Sequence, residues 1–382
     1  MKIIADDKIP YLKGVLEPFA DIVYLPGKQI TNETAADADA LLIRTRTKCN
    51  AALLQGTKVR FIATATIGYD HIDTGWCEQN GITWVNAPGC NSSSVQQYIA
   101  AAILHLALNY SFNLYNKTLG IIGVGNVGSK VAKLGQALGM KVLQNDPPRQ
   151  RKEKSDYFIS LDRLLEQSDI ITLHVPLITK GTDKTYHLAD NNFFDKMKPS
   201  SFFINSSRGE VTDTTALKEA LKTKKLTAAI VDVWENEPDI DTELLKMVEI
   251  GTPHIAGYSN DGKANGTAMS VQQLSRFFHL PLNTWYPTTI EKPAFPELIL
   301  NCTGRSFEDV IYQAILASYD INSDNNRLRS SVNTFEYQRG NYPLRREFPF
   351  YTIKINGDHS DIGKTLSAIG FKVTGLTPTA PE

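Results

Sequence analysis

An apolar run, Leu119-Gly120-Ile121-Ile122, passes straight into Gly123-Val124-Gly125-Asn126-Val127-Gly128 and then into a helical pattern over 126–137. Few chain geometries suit that order of residues. Gly123 permits a tight turn at the strand end, Gly125 lets a pyrophosphate approach the backbone, and Gly128 lets the helix pack on the strand it has just left. The helix start adds unbonded N–H groups and the positive end of a dipole. A GxGxxG match alone carries little weight; the strand before it and the helix after it make it a dinucleotide-binding turn. The next strand ends at Asp146, 18 residues after Gly128. A carboxylate there accepts hydrogen bonds from adenosine ribose hydroxyls and repels a 2′-phosphate, which favours NAD over NADP. Two readings stay open at this point. Asp146 can equally be a turn residue before Pro147-Pro148, and Arg149 and Arg151 stand near enough to offset its charge.

The glycine turn belongs to a longer alternation. Strand-like runs at 118–122, 141–145, 170–174, 202–205 and 228–233 are separated by helical stretches at 126–137, 161–167 and 214–222. An earlier series of short Ile-, Val- and Leu-rich runs lies at 2–5, 21–25, 40–43, 61–64 and 83–86. Strands separated by helices predict βαβ units, parallel sheets and an α/β class. Long helices are expected over 92–108, capped by Ser92, Ser93 or Ser94, and over 261–278. Beyond Pro281 the pattern changes. Pro281, Pro287, Pro293 and Pro296 mark a linker or arm. A helix capped by Ser306 follows, then a polar stretch, a strand over 350–355, and a closing helix and strand across 361–373. This tail reads as a small α+β unit. With 382 residues, 42% of them apolar, the chain suffices for two or three domains with cores of their own.

Charge and composition exclude several classes. A net charge of -1, with 21% charged residues, gives no basic face for nucleic acid or an acidic membrane. No apolar run reaches the roughly 18 residues of a membrane helix, and the start of the chain turns acidic at Asp6-Asp7 before a signal-peptide core can form. Cys49, Cys77, Cys90 and Cys302 form no CxxC pair and no metal-ligand spacing, so no metal is expected and a reducing cytoplasm is.

Three later segments carry the chemistry. Asn205-Ser206-Ser207-Arg208-Gly209-Glu210, Asp232-Val233-Trp234-Glu235-Asn236-Glu237-Pro238 and Thr252-Pro253-His254-Ile255-Ala256-Gly257 each follow an apolar run, at the strand ends where open α/β sheets bind ligands. A 2-hydroxy acid presents a carboxylate beside the carbon that loses hydride. Arg208 can grip that carboxylate with paired hydrogen bonds. His254 can take the hydroxyl proton. Glu237, bonded to the other ring nitrogen, would fix the tautomer and raise the basicity of the imidazole. Taken singly, each residue has a duller reading as a surface charge, a loop residue or a solvated histidine. Their order and strand-end placement around one nucleotide fold favour the catalytic one.

Together, the strand–GVGNVG–helix turn, the NSSRG and DVWENEP segments, and TPHIAG resemble the D-isomer-specific 2-hydroxyacid dehydrogenase family over roughly residues 1–285. The resemblance implies a flavodoxin-like substrate domain from 1–95 and 256–285, a Rossmann NAD domain over 96–255, and a cleft between them. Further cues are Arg44-Thr45-Arg46-Thr47, Ala65-Thr66-Ile67-Gly68, Asp146-Pro147-Pro148-Arg149 and His254-Ile255-Ala256-Gly257-Tyr258-Ser259. With Ser318-Tyr319-Asp320-Ile321 and Tyr342-Pro343-Leu344-Arg345-Arg346 in the tail, they point to members acting on a small phosphorylated 2-hydroxy acid in vitamin B6 synthesis. In those members a unit matching 286–382 is a dimerisation domain, which implies a homodimer. The resemblance also assigns roles. Arg208, Glu237 and His254 would be catalytic. Asn126, Val127, Asp146, Val175, Ser206, Asp232 and Gly257 would line the NAD site with Gly123, Gly125 and Gly128. Thr45, Thr66 and Tyr258 would contact substrate. A phosphate calls for arginine, and the candidates are Arg44, Arg46, Arg345 and Arg346, the last two as residues that would reach a partner subunit's substrate. Rival readings are another 2-hydroxyacid dehydrogenase, such as one for phosphoglycerate with a regulatory tail, and a nucleotide-sensing protein without turnover.

Overall fold

The computed structural model describes residues 1–357 and 360–374 of the chain; the end of the expected third domain, 375–382, lies outside them. The chain divides into two compact units. One comprises Met1–Asn91 with Ser259–Glu291, the other Ser92–Tyr258 with Lys292–Glu382.

The first unit is built on a parallel sheet of β1 (Lys2–Asp6), β2 (Asp21–Leu25), β3 (Ala40–Ile43), β4 (Phe61–Thr64) and β5 (Thr83–Val85), in the order β2-β1-β3-β4-β5. That order is flavodoxin-like. Ile3, Ala40, Leu42 and Phe61 face one core layer, and Ile4, Leu41, Ile43 and Ile62 face the other. Such strands are buried on both faces, which is why they read as continuous apolar runs and show no alternation. The Asn260–Phe278 helix covers one face, Val271 and Leu274 packing into the layer with Phe61.

The second unit carries a six-stranded parallel sheet of β6 (Thr118–Ile122), β7 (Lys141–Asn145), β8 (Ile170–Leu173), β9 (Ser201–Asn205), β10 (Leu226–Val231) and β11 (Ile250–Gly251). Its order is β11-β10-β9-β8-β6-β7. The strand order reverses at β6 and β8, which makes their carboxyl ends the switch point where such sheets take ligands. Side-chain caps set the helix starts. Ser160 accepts from Arg163 N, Asp213 from Ala216 N and Asp241 from Leu244 N. The Ser92–Asn109 helix is apolar nearly all round because it is covered on several sides. Its Ile99, Ile103 and Leu106 share one core with Leu119 and Val131, and with Val310, Ile311 and Ala314 of the C-terminal segment.

The C-terminal segment departs from its sequence reading in two ways. The proline-marked arm contains β12 (Glu297–Asn301), which pairs in parallel with β13 (Thr352–Asn356), itself paired with β14 (Lys372–Thr374). The polar stretch folds into helices Ile321–Ser330 and Phe335–Gly340. The first is held through tertiary bonds. Arg329 donates to the carbonyls of Leu245 and Val248, and Asn325 Oδ1 accepts from Gly251 N at 2.9 Å.

Candidate active site

The glycine turn stands at the switch point. Gly123 has φ of +85°, and a Cβ there would lie 2.6 Å from His174 O and 2.7 Å from Val175 Cγ1. A side chain at Gly128 would strike Gly123 O at 2.0 Å, so the helix Asn126–Ala137 can close on the turn only with glycine there. Gly125, by contrast, has open space where a Cβ would be. Its need for glycine comes from something that is to approach the backbone. Ser206, on the loop after β9, has a buried Oγ with no hydrogen-bond partner. An open cradle at a helix start and an orphaned hydroxyl at the neighbouring strand end fit a dinucleotide. Asp146 takes the turn-residue role directly. It caps the helix Pro147–Glu153 through Arg149 N (3.0 Å) and takes Val124 N (2.8 Å), with further lone pairs on each oxygen. Arg149 and Arg151, which left NADP open, are each matched by an acid: Arg149 Nε lies 2.7 Å from Glu153, and Arg151 pairs with Asp183.

Arg208, Glu237 and His254 lie on the loops that follow β9, β10 and β11, and Glu237 and His254 are in contact. Within the first loop, Asn205 Oδ1 accepts from Ser207 N and Oγ, and its amide donates to Arg208 O, so Arg208 leaves a bonded turn. Gly209 then lets this loop lie directly on the next one. A Cβ there would lie 2.0 Å from the Trp234 carbonyl. Trp234 is buried, donates its backbone N–H to Glu237 Oε1 (2.9 Å) and its indole N–H to Thr252 O (2.9 Å). Glu237 Oε2 is 2.8 Å from His254 Nδ1. Burial is the largest influence on Glu237 and pushes its pKa up. The charge and hydrogen bond of His254, the Trp234 N–H and the charge of Arg339 outweigh it and leave the carboxyl below its usual range. An ionised Glu237 accepts from Nδ1–H, so the lone pair of His254 lies on Nε2, free to receive a proton.

His254 is held by its backbone too. Its φ of +54° is left-handed, a conformation costing a non-glycine residue roughly 1–2 kcal/mol. Buried Asp232 offsets that cost. Its carboxylate accepts from Ile255 N (2.8 Å), Ala256 N (2.9 Å) and Thr252 Oγ1 (2.6 Å), and its carbonyl from His254 N (2.7 Å). Asp232, expected at the NAD site, is thus the hub of the loop that carries His254. Desolvation raises its pKa, against the opposing charge of His254 and these donors.

The other expected residues divide by unit. In the first, Arg44 and exposed Thr45 follow β3 and Thr66 follows β4. Thr66 Oγ1 bonds Gly68 O (2.9 Å) and Thr64 Oγ1 (2.7 Å). In the second, Val175 abuts the glycine turn and Tyr258 stands edge-on to Tyr342 at 5.8 Å. The two tail arginines do not suit an anion from solvent or from a partner. Arg345 is buried, stacks 3.8 Å over Tyr319, and bonds Gln97 Oε1 and the carbonyls of Ser94, Ile255 and Ala256. Arg346, 2% exposed, stacks 3.6 Å over Phe350. Two cations went unmarked in the sequence. Arg339 lies 5.7 Å from the Tyr258 ring centroid, and its charge acts on Glu237. Lys263 is lowered by burial and then by the charge of Arg44. Among the described residues there is no cluster of acids, histidines and cysteines able to hold a metal, and no helix is long and apolar enough to cross a membrane.

Residues 97–256 match the family model described as D-isomer specific 2-hydroxyacid dehydrogenase, NAD binding domain, and residues 290–370 match a domain of unknown function, DUF3410. The chain is 53% identical over 356 residues to erythronate-4-phosphate dehydrogenase of Bacteroides fragilis, covering 93% of this chain and 99% of that one. It is 39% identical over 377 residues to the enzyme of the same name from Proteus mirabilis, covering 98% and 100%. Among solved structures, D-lactate dehydrogenase from Aquifex aeolicus complexed with NAD and lactic acid is 27% identical with a TM-score of 0.60, over 73% of this chain and 96% of that chain. The apo-structure of D-lactate dehydrogenase from Escherichia coli is 26% identical with a TM-score of 0.59, over 73% and 97%.

Proposed function

Because the chain belongs to the erythronate-4-phosphate dehydrogenases, within the D-isomer specific 2-hydroxyacid dehydrogenases, we propose that it oxidises 4-phospho-D-erythronate to (R)-3-hydroxy-2-oxo-4-phosphooxybutanoate with NAD+, a step of pyridoxal 5′-phosphate synthesis. The observation that carries the chemistry is the 2.8 Å contact of Glu237 Oε2 with His254 Nδ1, on loops at the same sheet edge as the loop of Arg208. His254 Nε2 takes the proton of the C2 hydroxyl, while Glu237 stabilises the imidazolium that forms. Arg208 binds the substrate carboxylate and holds C2 in place. Gly123, Gly125, Asn126, Val127, Gly128, Asp146, Val175, Ser206, Asp232 and Gly257 would hold NAD+, which would supply the hydride acceptor for C2. Arg44, Thr45, Thr66 and Tyr258 would contact the rest of the substrate.

The direct test is NADH production, at 340 nm, from 4-phospho-D-erythronate by the wild type and by His254→Ala, beside a panel containing 3-phosphoglycerate and D-lactate. Faster turnover of a three-carbon acid would overturn the substrate, and an active His254→Ala would overturn the mechanism. We also take the first unit as the substrate domain, Ser92–Tyr258 as the NAD domain, and the C-terminal segment as a dimerisation domain of a cytoplasmic homodimer. Exposed Phe295 (79%) and Ile299 (70%), together with Tyr337, support an apolar interface on that segment. Sedimentation of the full chain as a monomer at micromolar concentration would refute it.

A further inference from the structure

A guanidinium carries its N–H groups in a fixed fork, and a buried N–H without an acceptor keeps the full cost of leaving water. Arg339, in the helix Phe335–Gly340, has such a group. Its side chain is 16% exposed, and its Nε is buried with no hydrogen-bond partner. Nη1 donates to Glu336 Oε1 at 3.2 Å, one turn back on the same helix. Among the described residues nothing accepts from the Nε–Nη2 edge. That edge is the one with which arginine grips two oxygens of a single anion.

Packing within the second unit fixes where the guanidinium lies. It stands 5.7 Å from the centre of the Tyr258 ring and 5.9 Å from that of Phe335. Aromatic faces steady a cation but bring no carbonyl or carboxylate to its N–H groups. Phe335 is buried in the same core as Trp234, whose backbone N–H holds Glu237. Gln338, beside Arg339 in the chain, donates to Ser331 O at 2.9 Å and to Arg327 O at 3.2 Å, which pins the short helix. Tyr258 is held from its other neighbour too. It meets Tyr342 edge-on, and Tyr342 Oη donates to Asp324 at 2.6 Å. Tyr258 lies four residues after His254, and its N–H donates to Ile255 O at 2.8 Å, on the loop that Asp232 organises. The tail thus brings an arginine with an unpartnered N–H to the loop of the proton acceptor. Its charge acts there, lowering the pKa of Glu237.

We infer that Arg339 is a substrate-binding residue supplied by the C-terminal segment, its Nε–Nη2 edge gripping the substrate's phosphate beside Tyr258. The inference rests on the erythronate-4-phosphate reading for the identity of the anion. A phosphorylated 2-hydroxy acid has two anionic groups, and Arg208 takes the carboxylate. The phosphate needs a second fork, and Arg339 offers one held in place by two rings and an ion pair. The tail then sets which acid the enzyme prefers.

The test compares wild type, Arg339→Met and Arg339→Lys on 4-phospho-D-erythronate and on D-erythronate, with NAD+ saturating and folding checked by circular dichroism. The ratio of kcat/KM for the phosphorylated acid to that for the plain acid should fall about ten- to a hundredfold in Arg339→Met, through KM. Arg339→Lys keeps the charge and discards the fork, and its ratio should fall about three- to tenfold; it decides the matter if the methionine variant does not fold. An unchanged ratio, or equal losses on both acids, would reduce Arg339 to a prop for Tyr258 and overturn the subsite. Calorimetric titration with inorganic phosphate reads the same contact without turnover. If the wild type oxidises neither acid, the substrate reading fails, and weaker phosphate binding in the Arg339 variants would still sustain the subsite. Phosphate binding that the variants leave unchanged, or that the wild type lacks, would sink it.

Discussion

The carboxyl edges of the two large sheets treat charge in opposite ways. On the six-stranded sheet several charged groups near the strand ends are matched. Glu237 faces His254, Asp232 faces three hydrogen donors, and Arg149 faces Glu153. On the five-stranded sheet burial, and then the charge of Arg44, lowers the pKa of Lys263. Both edges come from the same construction, parallel strands with helices over them, so topology does not set the difference. Matched pairs hold a proton at a chosen nitrogen and keep a loop in a strained shape. A cation buried beside a like charge is instead held at a cost to its charged form.

That contrast can be broken or sharpened experimentally. The largest effect is expected from His254→Ala, which leaves Glu237 without its partner and should lower kcat by about 10²–10⁴ with NAD+ affinity retained, read by single-turnover absorbance and cofactor fluorescence. Arg208→Lys keeps the charge and discards the fork. A fall in kcat/KM of about tenfold to a hundredfold is expected, and equal activity would show that charge alone suffices. Removing the neutral member of the matched edge tests acid stability. Burial drives the pKa of His174 from 6.5 down to about 3. Above pH 6.5 the ring is neutral whether folded or not. As pH falls toward 3, the unfolded chain gains a proton that the folded chain refuses, and stability declines by about 1.4 kcal/mol per pH unit. Urea melts of His174→Gln at pH 7 and pH 5 should show a shallower acid loss than the wild type. The smallest effect is expected at Glu153→Gln. It frees Arg149 beside the Asp146 position and should raise kcat/KM for NADP+ about two- to fivefold, as expected for an exposed pair. No gain would mean that Glu153 does not restrain the arginine.

Most of the two parallel sheets was legible in the sequence because strands buried on both faces announce themselves as apolar runs. β2, β3, β4, β6 and β7 match their predicted ranges. The glycine turn was legible for a related reason: steric demands at Gly123 and Gly128 leave only one residue type. β12 was hidden among prolines. Its partner β13 lies some fifty residues on, and Ile299 points to solvent, so no local periodicity marks it. The helix Ile321–Ser330 is polar along its length and owes its place to Arg329 and Asn325, whose acceptor and donor partners belong to another part of the chain. Lys263 was missed because a lysine in an otherwise ordinary helix start shows its cost only when its neighbours are known.

The clasp between the C-terminal segment and the loop of His254 has a practical consequence. Asn325 holds Gly251 on one side of the loop, and Arg345 holds the carbonyls of Ile255 and Ala256 on the other. The tail is therefore not a module that can be cut away to leave a minimal dehydrogenase. Deleting it would unclasp the loop that presents the proton acceptor and expose the Ser92–Asn109 helix it covers. Engineers seeking a shorter or monomeric catalyst should redesign the outward face of the tail and keep its inward one. Melting of the second unit should then appear as one cooperative event, with the tail and the nucleotide fold lost together.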